Sequence, residues 1–155
     1  MRNKIWKTVQ LGQHSRPAEY GRAITKQGMI VSRTAGEILN QVVISQEAKL
    51  SVIRVAVREL GLKKGGYYQE IQDRALARGL KGCPAEIGPV LRLAYVDQPR
   101  HERLHIAMEA LSDQEKYHFA FALFFENKER ELGVYSNDPQ SFWSGDSEFI
   151  FVRNK

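Results

Sequence analysis

The sequence predicts an α+β fold in which an N-terminal helical part packs against a C-terminal antiparallel sheet, as a single domain over residues 1–155. Two observations carry that prediction. Up to Tyr95, apolar residues recur at helical spacing behind Ser residues suited to N-caps. From Arg103 onward the apolar period changes to two. Gly and Pro fall at the seams between these segments, with no repeat, linker or low-complexity tract.

Lys4–Leu11 reads as an opening strand, with Ile5, Val9 and Leu11 on one parity and Trp6 opposite. Ser15 starts a helix with Pro17 in its first turn, Tyr20 and Ile24 one turn apart, and Gly28 past its end. Ser32 starts a second short helix carrying Ala35, Ile38, Leu39 and Val42. The clearest helical stripe is Leu50, Ile53, Val57 and Leu60, capped by Ser45 and stopped by Gly61. Another helix covers Tyr68–Ala77 with Gly79 at its end. Pro84 suits a first helical turn, and Pro89 predicts either a kink or a fresh start in the segment reaching Tyr95. Leu104, Ile106 and Met108 then alternate with His105, Ala107 and Glu109, and Tyr117–Phe125 alternates large residues with mostly small ones. Leu132–Tyr135 and Glu148–Arg153 complete a sheet of about three to five strands.

At 155 residues the chain has the size of one ordinary domain. With 43% hydrophobic and 26% charged residues it lies near the globular average, which excludes wholesale disorder. Cys83 is the sole cysteine, so no internal disulfide forms and no cysteine framework for zinc exists. Lys7 breaks the N-terminal stretch before an apolar signal region develops, and the longest apolar run, Phe119–Phe125, is too short to cross a bilayer. These features lead us to expect a cytoplasmic protein without a membrane partner.

Between Met1 and Ala35, the cations Arg2, Lys4, Lys7, Arg16, Arg22, Lys26 and Arg33 face only Glu19, so the whole of the net +5 is accounted for there. Such a basic region meets nucleic acid or an acidic protein, or simply keeps a surface solvated. The favoured expectation is a non-catalytic binding or accessory protein contacting nucleic acid or an acidic partner through Lys4, Lys7, Arg16, Arg22, Lys26 and Arg33. Arg92 is a secondary contact, Phe142 and Trp143 form an aromatic anchor, and no cofactor is expected.

The string Cys83-Pro84-Ala85-Glu86-Ile87-Gly88-Pro89, with Asp97-Gln98-Pro99, Leu104-x-Ile106-Ala107-Met108-Glu109 and the ending Phe142-Trp143…Phe149-Ile150-Phe151-Val152-Arg153, resembles a family of small uncharacterised bacterial proteins. Some of those proteins carry a helicase label, but this chain has no phosphate-cradling G-x-x-x-x-G-K-[ST] motif. The resemblance implies no activity and no catalytic residue.

Other residues carry candidate chemistry of their own. His101-Glu102-Arg103-Leu104-His105 spells H-E-x-x-H, which holds zinc only on a helix, where the histidines lie about 6 Å apart. On a strand they are separated by roughly 13 Å. The alternative function is a small hydrolase or transferase using Cys83, or the carboxylates Glu86, Asp97, Glu102 and Glu109, with His101 or His105. A structural reading competes at each: free cysteines are often small core residues, and Glu86 suits the first turn of a helix. The helices Ser45–Gly61, Tyr68–Gly79 and Pro84–Tyr95 followed by a hairpin have the order of a winged helix-turn-helix, but a three-helix support for a sheet fits them better. A further alternative is an oligomeric protein-interaction module.

Overall fold

The computed structural model describes residues 3–154, so Arg2 lies outside the described residues. In chain order the elements are β1 (Ile5–Leu11), α1 (Pro17–Lys26), β2 (Ile30–Val31), α2 (Arg33–Leu39), β3 (Ala48–Ala56), β4 (Gly66–Tyr67), α3 (Tyr68–Ala77), β5 (Leu80–Lys81) and α4 (Ile87–Ala94). They continue with β6 (Arg103–Ile106), β7 (Leu111–Ser112), β8 (His118–Phe124), β9 (Glu131–Tyr135), β10 (Phe142–Trp143) and β11 (Glu148–Arg153). A tight helical turn, Val57–Leu60, follows β3.

The expected arrangement, an N-terminal helical part on a C-terminal antiparallel sheet, is corrected by the strand order. Among the described residues, a nine-stranded sheet runs β1-β3-β11-β6-β8-β9-β2, with β5 beside β11 and β7 beside β8. Its N-terminal strands β1 and β3 stand next to the C-terminal strand β11. The sheet is also mixed: β11 runs parallel to β6, and β2 parallel to β9, while the other pairs are antiparallel. Helices α1, α2 and α4 contact one another and strands from both halves of the chain, β1 and β2 as well as β8 and β9, and four short helices do not make a separate helical part.

The largest single difference is the segment predicted as the clearest helix. Ala48–Ala56 is a central strand, held by β1 on one side and β11 on the other. Leu50, Ile53, Val57 and Leu60 do recur at helical spacing, but Val52, Ile53, Val55 and Val57 are β-branched and all are buried. Such a run satisfies a strand covered on both faces, where each parity meets a packed layer. The winged-helix order disappears with that helix.

Other local signals hold. Pro17 occupies the start of α1 and Glu19 reaches back to the Arg16 N–H at 3.0 Å, closing the first turn. Ser32 Oγ accepts from the Ala35 N–H at 3.1 Å and caps α2. In α4, Pro89 falls in the first turn, where its missing N–H costs nothing because those donors have no intrahelical acceptor. Gly88 is required by close approach: a Cβ there would lie 2.5 Å from Cδ2 of Phe121 on β8. α4 is buried from Ile87 to Arg92, a helix laid against the sheet and covered by α1.

Candidate functional site: a basic N-terminal surface

β1 ends the sheet on its side: it pairs with β3, and among the described residues no strand pairs with its other edge. A register shift between Ile5 and Lys7 bulges the strand near its start. There Trp6 packs edge-on against Tyr95, with ring centroids 4.9 Å apart. The Lys7 ammonium stands 5.0 Å from the Trp6 ring centroid and 5.1 Å from that of Tyr95. Arg54 of β3 lies under the same indole, 5.2 Å from its centroid.

Arg54 is fully engaged. Its Nε and Nη2 donate to the two oxygens of Glu148 at 2.8 Å, and Nη2 also donates to Glu102 at 2.8 Å. The Tyr95 hydroxyl donates to Glu102 at 2.8 Å. The Glu148 carboxylate, with Glu102 and Tyr95, holds the guanidinium charged against the cost of its burial. This cluster floors a cleft of about 520 Å³ lined by Lys4, Trp6, Ile53, Arg54, Glu59 and Glu148. Glu59 in turn accepts from the Ala56 N–H at 2.8 Å.

The remaining cations follow from α1. Tyr20 and Ile24 are its buried face, which leaves Arg22 and Lys26, one turn apart, on the solvent side with Arg16 exposed at its start. Arg33 opens α2, with its side chain 91% exposed and only a 4.0 Å approach to Glu37. Because α1 starts beside the end of β1 and leads to β2 at the opposite edge of the sheet, the cations form two groups. Lys4 and Lys7 stand at the start of β1; Arg16, Arg22, Lys26 and Arg33 run along the helical layer. Glu19, the one acid between Met1 and Ala35, accepts from Ser15 Oγ and the Arg16 N–H, and these bonds hold its carboxyl below the usual range.

Arg92 is not on this surface. It is fully buried, donating to Gln98 Oε1 at 2.7 Å, Tyr95 O at 2.6 Å and Glu131 O at 3.2 Å. Its Nε has no partner, and burial, together with nearby Arg130, brings its pKa down to about 10. A secondary contact for an external partner is therefore corrected to an interior tie between α4, the following loop and β9.

Phe142 and Trp143 separate as well. They lie on opposite sides of the short strand β10, which pairs with β4. Phe142 is 59% exposed and packs edge-on with exposed Tyr67. Trp143 turns inward onto His105, centroid to centroid 4.7 Å, and onto Phe149 at 5.1 Å. His105 is buried among these rings and Tyr135; its Nδ1 donates to Glu148 O at 3.0 Å, which requires the proton on that nitrogen. Burial brings the His105 pKa down to about 4.

The groups weighed for catalysis do not converge. His101 is exposed and lies near Glu126 at 3.4 Å, whereas His105 points into the aromatic box. Cys83 is buried, its Sγ donates to Ile150 O at 3.4 Å, and burial pushes its thiol pKa up, away from a nucleophilic thiolate. Glu102 is committed to Arg54 and Tyr95, and Asp97 and Glu109 are exposed at separate places.

Glu86 has a role the sequence did not disclose. Fully buried, it accepts from the Gly12 N–H at 2.8 Å, the Ser45 N–H at 2.9 Å and the Tyr20 hydroxyl at 2.5 Å. One carboxylate thus ties the loops after β1 and before β3 to the start of α4. Burial and this hydrogen bond raise the Tyr20 pKa. With Cys83 and Gly88 also buried, the distinctive Cys-Pro-Ala-Glu-Ile-Gly-Pro string is architectural.

One further concavity, about 620 Å³, lies between α3, the start of β8 and the loop after β9, lined by Tyr68, Met108, Tyr117, Phe119, Asn137 and Asp138. No described helix is long and apolar enough to cross a membrane. No family model, no curated protein and no solved structure matches the chain.

Proposed function

We propose that this chain is a non-catalytic binding protein whose basic N-terminal surface docks an acidic partner, either nucleic acid or an acidic protein. The observation that supports it is the state of the charges. Lys4, Lys7, Arg16, Arg22 and Lys26 have no carboxylate within ion-pair distance among the described residues, while the neighbouring acid Glu19 is spent on capping α1. Unpaired cations attract an anionic partner and raise its rate of encounter. A site of this kind needs no catalytic constellation.

The test is an amide NMR titration with a polyanion. Shifts confined to β1, α1 and the start of α2 support the proposal. Shifts centred on β10 or on the cavity beside Tyr117, or no shifts at low salt, overturn it.

A further inference from the structure

Resting on that reading, we infer that the acidic partner is a polypeptide that adds as an extended strand to the open edge of β1. Three features of the edge lead there. β1 is seven residues long and unpaired on one side, so it presents a row of backbone N–H and C=O groups at strand spacing. A sugar–phosphate backbone does not repeat donors and acceptors at strand spacing, whereas an extended peptide offers both to the edge.

The second feature is a pair of depressions that share Ile5. One is the cleft of about 520 Å³ at Lys4, Trp6 and Arg54; the other, about 200 Å³, is lined by Ile5, Lys49, Leu50, Ser51 and Arg153. In strand addition, main-chain bonds supply affinity and such side pockets select alternate side chains. Ile5, 42% exposed, gives both depressions an apolar wall.

The third feature is charge. β1 contains no acidic residue; Lys7 lies within it and Lys4 just before it, and Lys49 and Arg153 line the smaller depression from β3 and β11. The acids of the cleft, Glu59 and Glu148, are already bonded to Ala56 N–H and Arg54. Antiparallel pairing of β1 with a second copy would bring lysines together, so this edge repels itself while it attracts an acidic strand.

Three labelled probes test this by fluorescence anisotropy at low salt. They are an extended peptide of about eight residues alternating Glu and Val, a peptide of equal charge with Pro in place of Val, and a single-stranded oligonucleotide. We expect the Glu/Val peptide to bind at least about tenfold more tightly than the Pro peptide and the oligonucleotide, and to slow hydrogen exchange across β1. Lys4→Glu with Lys7→Glu weakens it by about tenfold or more while the circular dichroism is unchanged. Equal binding of the two peptides, no β1 protection, or preference for the oligonucleotide overturns strand addition and leaves the basic-surface reading standing. Failure of all three probes to bind removes both.

Discussion

His105 makes stability depend on pH in a window that can be stated in advance. In the fold it is neutral, boxed by Trp143, Phe149 and Tyr135, and its pKa falls from an ordinary 6.5 to about 4 because burial disfavours the imidazolium. Nearby Arg103 acts in the same direction, and the Glu148 carbonyl opposes it. Above about pH 6.5 the ring is neutral in folded and unfolded chains alike, and its contribution is fully present. As pH falls below that value, the unfolded chain takes up the proton first, so stability declines until about pH 4, where the folded chain is protonated too. The drop from about pH 7.5 to about pH 4.5 comes to about 2.5 kcal/mol. Urea unfolding of the wild type and of His105→Phe isolates it, since carboxylates titrate in both proteins and cancel in the difference. The wild type should lose about 2.5 kcal/mol relative to the variant across that range. A difference that stays constant with pH would refute the buried neutral imidazole.

Three other substitutions have defined outcomes. Glu86→Gln sets an amide N–H₂ against backbone donors of Gly12 or Ser45, and lowers stability by about 3 kcal/mol in chemical denaturation. Gly88→Ala drives a methyl into the Phe121 ring and costs about 1–3 kcal/mol; the double variant with Phe121→Leu loses less than the sum, as a double-mutant cycle will read. Arg92→Met strips Tyr95 O and Gln98 Oε1 of their donor and costs about 2 kcal/mol, yet leaves polyanion affinity unchanged in a binding titration.

Local punctuation was legible in the sequence, and long-range pairing was not. Pro17 and Ser32 mark true helix starts, and α3 and β8 lie where periodicity put them. β3 reads as a helix because its second half buries neighbouring apolar residues such as Val52 and Ile53 on both faces, and so contains a helical stripe by accident. The parallel pairing of β11 with β6 and the entry of β1 into the same sheet depend on contacts between distant parts of the chain, which no window of sequence carries. At the surface, Arg22 and Lys26 were readable as exposed because Tyr20 and Ile24 fix the opposite face of α1. Arg92 was not, because α4 is buried almost all round and a lone arginine on such a helix still looks like its polar side. Glu86 resembled an ordinary first-turn acid; its donors come from loops remote in sequence.

The most direct test of the central claim is anisotropy of labelled acidic peptide, DNA and RNA at low and about 150 mM salt, with the wild type, a Lys4→Ala, Lys7→Ala variant and an Arg16→Ala, Arg22→Ala, Lys26→Ala variant. The account predicts binding of at least one polyanion that weakens steeply with salt and drops in one variant or both. No binding even at low salt, or binding indifferent to salt and to both sets of substitutions, would contradict it.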